Sequence, residues 1–198
     1  MDLKNKTILF LGSSVTYGSA AQGRSFVDIM KDAYGATCIK EAVSGTTLVD
    51  LDEQSYVSRL KAIDKDIKVD LFICQLSTND AARDLELDDI QDAICCILDY
   101  VENTFGCPII FYTGTYFKSE KYASMIELLY GLKEEYSFHI LDLYHDEDMQ
   151  NVSKEDYDRY MNDPIHPTFL GYKEWWTPKF VDFCHQILSG TPIPAKTD

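Results

Sequence analysis

Thr7-Ile8-Leu9-Phe10-Leu11-Gly12, broken at once by Ser13-Ser14-Val15-Thr16, is the stretch whose reading decides the fold. Its apolar residues run without alternation, the pattern of a strand buried on both faces rather than one with a wet side. Four further runs of this kind follow: Cys38 to Val43, Leu71 to Ser77, Ile109 to Gly114 and Phe138 to Leu143. Between them the apolar spacing lengthens to that of helices. Phe26, Val27, Met30, Ala33 and Tyr34 form one stripe, closed by Gly35. Ile90, Ile94, Ile97, Leu98, Val101 and Phe105 form another, stopped by Gly106, and a third starts at Ser119 as N-cap and continues through Tyr122, Ile126 and Leu129. Strands alternating with helices imply βαβ units with right-handed crossovers. The expected fold is therefore α/β: a flavodoxin-like three-layer α/β/α sandwich around a five-stranded parallel sheet. Such sheets carry ligands at the carboxyl ends of their strands.

The 198 residues suit one domain, expected over 1–189, with a Pro-bearing, frayed tail over 190–198. A last helix is expected from Thr168 to about Leu188, kinked at Pro178. The segment from His145 to Asn162 breaks the pattern. It is acidic, carries Tyr157 and Tyr160, and offers Ser153 with Asp156 as the cap of a short helix.

Thirty-three acidic against 18 basic side chains give a net charge of −15. Phosphate backbones and anionic lipid would repel such a chain, so neither nucleic acid nor a membrane is an expected partner. Lys4 and Lys6 precede an apolar run, Ile8 to Leu11, too short for a signal peptide. No run approaches the roughly 18 apolar residues of a membrane span. The expected location is the cytoplasm; composition says nothing of oligomeric state. Of the six cysteines, Cys38 and Cys74 fall in strand-like runs, and adjacent Cys95 and Cys96 fit neither redox nor zinc spacing. All six are expected to pack as small hydrophobes. His145-Asp146-Glu147-Asp148 is oxygen-rich but lacks the spacing of a calcium loop, so no metal site is expected.

Four short stretches carry the chemistry. Ser14 sits where a strand turns into a helix, so backbone N–H groups point at whatever lies above the turn. A nucleophile fits there, and so does a helix cap or a phosphate-cradling loop. Position 16 is Thr, so the Gly-x-Ser-x-Gly elbow of α/β-hydrolases is not formed. Asp163-Pro164-Ile165-His166 places a carboxylate three residues before an imidazole, close enough to fix its tautomer, although on these four residues alone a surface histidine ahead of a helix is the favoured reading. The other histidines, 139, 145 and 185, show no comparable partner. Asn79 ends the third apolar run and can offer its amide to an oxyanion or shape a turn; Gly45 is a turn glycine or one that brings its N–H near a substrate. Their joint placement favours a single site, because three of the stretches follow successive strands.

In order, and across nearly the whole chain, these stretches resemble the four blocks of the SGNH (GDSL-like) hydrolase family. The resemblance implies ester hydrolysis on a flavodoxin-like sheet without metal or organic cofactor. It implies catalysis by Ser14, Asp163 and His166, with an oxyanion hole made by the amides of Ser14 and Gly45 and the side chain of Asn79. Two positions depart from the family: Ser13 stands where Asp is frequent, and Ser77 where the third block usually has Gly. The expected activity is that of a serine esterase on short acyl esters, such as O-acetyl groups on carbohydrates, acting through an acyl-enzyme. Tyr17, Tyr157, Tyr160 and Tyr172, with Trp175 or Trp176, are the expected lining, because aromatic faces beside carboxylates suit a sugar. Two other readings use the same residues. One is a non-catalytic flavodoxin-like phosphate or nucleotide binder, in which Ser13, Ser14, Thr16 and Gly18 hold the phosphate. The other is a degenerate hydrolase serving as a carbohydrate-binding scaffold.

Overall fold

In the computed structural model, which describes residues 3–190, β1 (Thr7–Gly12) lies between β2 (Thr37–Ala42) and β3 (Leu71–Gln75). β4 (Ile109–Tyr112) and β5 (His139–Leu141) complete a five-stranded sheet of order β2-β1-β3-β4-β5, parallel throughout. Successive residues of one strand enter opposite cores, as the two-residue period of a strand requires. Leu9, Leu11, Phe72, Cys74 and Phe111 face one layer, with Ile94, Ile97 and Val101 of α5 (Leu87–Thr104) and Met125 and Leu129 of α6 (Glu120–Leu132). Ile8, Phe10, Ile73, Ile110 and Tyr112 face the other, against α2 (Phe26–Tyr34) and α10 (Thr177–Ser189), where the rings of Phe26 and Phe180 stack at 3.9 Å. Burial on both faces is why β1, β3 and β4 read as unbroken apolar runs, whereas the edge strand β2, which carries Lys40 and Glu41, has no fully buried residue and corrects the expectation for its run.

Three strands, β3, β4 and β5, stop two residues before the ends of their apolar runs. Leu76 and Ser77 leave β3 because the Ser77 hydroxyl accepts the N–H groups of Asn79 and Asp80 and starts α4 (Thr78–Ala82). Asn79 therefore sits in the first turn of a helix rather than at a strand end. β4 stops at Tyr112. β5 stops at Leu141, where the Asp142 carboxylate takes over by accepting the His145 N–H at 3.1 Å.

The last helical stretch runs without a break from Phe169 to Ser189, close to the expected bounds, but its irregularity is a π turn rather than a kink at Pro178. Thr168 caps α9 (Phe169–Gly171), a wide π turn follows over Tyr172–Trp176, and α10 begins at Thr177. Pro178 lies in the first turn of α10, directly after the π turn over Tyr172–Trp176. Gly190 ends α10 with φ of +67°. Of the expected tail, residues 191–198 lie outside the described residues. Two more short helices, α7 (Glu147–Gln150) and α8 (Lys154–Tyr160), occupy the acidic segment, and Ser153 caps α8 through the Asp156 N–H. Among the described residues no helix is long and apolar enough to cross a membrane. All six cysteines are free thiols; Cys74 and Cys184 are buried and the other four half-buried.

Candidate active site

Ser14 opens α1 (Ser14–Tyr17), directly beyond β1. The turn is as tight as its glycine allows. A Cβ on Gly12 would lie 1.8 Å from Thr16 Oγ1, so no other residue fits there. Gln75, the last residue of β3, holds the turn from the neighbouring strand. Its Oε1 accepts the Ser13 N–H at 3.0 Å and the Thr16 hydroxyl at 2.9 Å, and Tyr112 OH lies 2.6 Å from that hydroxyl. These groups are buried, so their hydrogen bonds are satisfied inside the protein and the turn is fixed.

Asp163 and His166 approach from the far end of the chain. Met161 and Pro167 pair across a short antiparallel bridge, and the Asn162 N–H donates to the His166 carbonyl at 2.8 Å, which closes 161–167 into a loop. Within it Asp163 Oδ1 accepts the N–H groups of Ile165 and His166, each at 2.8 Å. The carboxylate also lies 2.9 Å from His166 Nδ1, and His166 Nε2 lies 2.8 Å from Ser14 Oγ. Hydroxyl, imidazole and carboxylate thus form one continuous relay. Burial pushes the Asp163 carboxyl up, but the two backbone N–H groups and the His166 ring outweigh it and hold it below the ordinary carboxylate value. A carboxylate kept ionised in this position stabilises a positive imidazole beside it.

The segment carrying Gly45 is tied to α4. Asn79 Nδ2 donates to the Thr46 carbonyl at 2.8 Å, Arg83 Nη2 donates to the Gly45 carbonyl at 2.9 Å, and the buried Asp80 carboxylate accepts the N–H groups of Leu48 and Val49. Burial raises the Asp80 carboxyl despite the hydrogen bonds from Ser77 and these amides. Gly45 has φ of +82° with open space where a Cβ would be, so backbone conformation rather than crowding asks for glycine. Arg59 of α3 (Tyr56–Ala62) reaches both the Gly12 carbonyl and the Thr46 hydroxyl from below.

The expected lining residues divide. Tyr17 is 44% exposed beside Ser14, with Lys40 Nζ 5.7 Å from its ring centre. Tyr160 stacks on Trp175 at 5.6 Å. Tyr157 lines a cavity of about 270 Å³ together with Thr115, Tyr116, Gln150 and Trp175, and its phenol is raised by burial and by the charge of Asp163. Tyr172 does not face the cleft. It is fully buried, and its hydroxyl donates to the Val15 carbonyl at 2.8 Å, so it props the Ser14 turn from the core. Trp176 is also core, packed against Phe26 and Phe180. Ser77 caps α4, while Ser13 is buried with its hydroxyl beside the phenol of Tyr56.

Gln75 and Arg59, which hold the Ser14 turn and the Gly45 segment, carry no motif and are missed by the sequence reading, while Asp80 directly follows Asn79 in the third stretch. His145 corrects another expectation. It does have a carboxylate partner, Asp142, at 2.9 Å and at the same three-residue spacing as Asp163 and His166. That spacing was the signal available for it.

A parallel sheet of this order carries serine, histidine and aspartate side chains in contact at its carboxyl edge. The GDSL-like lipase/acylhydrolase family model matches residues 10–174; the chain belongs to that family and is an ester hydrolase. A search of curated proteins finds no match. Among solved structures, the fold is similar to that of the psychrotrophic esterase EstA from Pseudoalteromonas sp., inhibited by monoethylphosphonate, with TM-score 0.76 and 17% identity over 93% of this chain and 100% of that one. It is similar to AlinE4, an SGNH-hydrolase family esterase, with TM-score 0.64 and 20% identity over 97% and 98% of the two chains. It is also similar to a family two carbohydrate esterase from Clostridium thermocellum in complex with cellohexaose, with TM-score 0.66 and 14% identity over 93% and 66%. At these identities the likenesses speak for the fold alone.

Proposed function

We propose that the protein is a serine esterase in which Ser14 is the nucleophile, His166 the general base and acid, and Asp163 the residue that orients it. The observation that carries this reading is the contact of His166 Nε2 with Ser14 Oγ at 2.8 Å while Nδ1 lies 2.9 Å from Asp163. His166 takes the proton of Ser14 as Oγ bonds to the ester carbonyl carbon. The carbonyl oxygen, now negative, is received by the N–H groups of Ser14 and Gly45 and by the Asn79 side-chain amide. The tetrahedral centre collapses, the bond to the alcohol breaks, and His166 hands its proton to the departing oxygen. Water then attacks the acyl-enzyme by the same sequence and releases the acid.

The substrate reading is a short acyl ester of a polar alcohol, such as an acetylated sugar. Support comes from the cavity where aromatic rings of Tyr116, Tyr157 and Trp175 stand next to Thr115 and Gln150, with Tyr157 within reach of the Asp163 charge, and from Tyr160, which stacks on Trp175. Rings flanked by hydrogen-bonding groups suit a hydroxylated ring. The cellohexaose-bound esterase of similar fold is consistent with this. Free thiols at all six cysteines suit a reducing compartment such as the cytoplasm. A ladder of p-nitrophenyl acetate, butyrate, octanoate and palmitate tests the acyl half. The highest kcat/KM is expected at acetate; a maximum at octanoate or beyond would overturn it.

A further inference from the structure

Resting on the esterase reading above, we infer that Arg59 is a positioning residue that sets the spacing of the three oxyanion donors. A guanidinium carries five N–H donors in one rigid plane, and here each has its own acceptor. Nε donates to the Gln54 carbonyl at 2.8 Å. Nη1 donates to the Glu41 carbonyl at 3.0 Å and to its carboxylate at 3.1 Å. Nη2 donates to the Gly12 carbonyl at 2.9 Å and to Thr46 Oγ1 at 3.1 Å. The side chain is 7% exposed and lies over the Tyr56 ring at 5.3 Å, so the plane has little freedom.

The identity of the acceptors is what matters. Gly12 ends β1 two residues before Ser14, and Thr46 directly follows Gly45. One nitrogen therefore bridges the segments that present the first two oxyanion amides. Thr46 extends the bridge, because its carbonyl receives the Asn79 amide at 2.8 Å. Its hydroxyl also donates to the Val43 carbonyl at 2.7 Å, so Thr46 cannot swing away. All three donors are thus referenced to one buried cation, whose charge Glu41 balances. A lysine offers a point charge on a flexible stem and cannot hold Gly12, Glu41, Thr46 and Gln54 together.

The test is steady-state ester hydrolysis by Arg59→Lys, Thr46→Val and Asn79→Ala, alone and with Arg59→Lys and Asn79→Ala combined. Displacing a preorganised donor by a fraction of an ångström to about 1 Å is expected to lower kcat by roughly 10–10² with KM changed by less than about threefold. The double variant should lose less than the product of the single losses, because both act through Thr46. The pH dependence of kcat should keep its midpoint, since the Ser14–His166 contact is untouched. A purely structural role would instead make Arg59→Lys resemble Ile97→Val, a core variant in α5 that lowers Tm and leaves kcat alone. A folded Arg59→Lys enzyme with wild-type kcat overturns the inference. If Arg59→Lys does not fold, Thr46→Val decides, because it removes only the hydroxyl that Arg59 holds, and wild-type kcat there overturns the inference. A wild-type protein with neither turnover nor phosphonate labelling would remove the esterase reading itself, and the inference with it. An active wild type with an unaffected Arg59→Lys removes the inference alone.

Discussion

The side-chain amide of Asn79 donates one hydrogen to the carbonyl of Thr46 at 2.8 Å. An amide nitrogen has two hydrogens, so one anchors the side chain and the second remains for a ligand. The anchored hydrogen fixes the direction of the second. Asn79→Ala should lower kcat by roughly 10²–10³, the loss expected for one oxyanion donor, with Tm nearly unchanged because the site is part-buried. Asn79→Asp should do worse, since it places a carboxylate against the Thr46 carbonyl and the oxyanion. Unchanged kcat in folded Asn79→Ala would exclude it as a donor.

Tyr172→Phe separates propping from substrate contact. Losing the hydroxyl strands the buried Val15 carbonyl and should cost about 1–3 kcal/mol of stability. KM should stay at the wild-type value for every alcohol tried. A KM that rises for one alcohol and not another would return Tyr172 to the substrate-binding set.

The Asp163 carboxyl is held below its ordinary value of 3.8, so its ionised form is favoured by folding. Its contribution to stability is complete above the ordinary value and is lost as pH falls through the depressed one. Asp80 has the opposite sign, because burial raises its carboxyl: folding disfavours its ionisation, a cost that is relieved on acidification. Urea midpoints from pH 7 down to 3 should therefore fall less steeply for Asp163→Asn than for wild type. A steeper fall in the variant would contradict the assigned direction.

Gly12→Ala should abolish activity along with the native turn, because the added methyl meets Thr16 Oγ1 at 1.8 Å. The companion variant Gly12→Ala/Thr16→Gly removes the whole obstructing side chain, including the Thr16 Cβ that the added methyl would meet at 2.6 Å, and should recover part of the Tm. No recovery would mean that the turn is constrained elsewhere.

The parallel sheet and its layers were readable because burial on both faces leaves an unmistakable run, as in Ile8 to Leu11 and Leu71 to Cys74. Ser14, Asp163 and His166 were readable because local spacing brings each near a strand end or near its partner. Arg59 and Gln75 were not, because each acts across the fold: Arg59 on Gly12, 47 positions away, and Gln75 on Ser13, 62 away. A lone Gln at a strand end or Arg in a helix has no periodicity to mark it. Tyr172 was misplaced for the reverse reason. Nearness to His166 in sequence suggested the cleft, while the π turn rotates it into the core.

The central claim is that Ser14 forms a covalent bond with the acyl group. A fluorophosphonate, which transfers phosphorus to an activated hydroxyl and then resembles the tetrahedral intermediate, tests it without knowledge of the natural ester. Intact mass should show one adduct per chain, peptide mapping should place it on Ser14, and ester turnover should disappear in proportion. Ser14→Ala should remain unlabelled. Labelling at another residue, or ester hydrolysis at the wild-type rate by Ser14→Ala, would contradict the account.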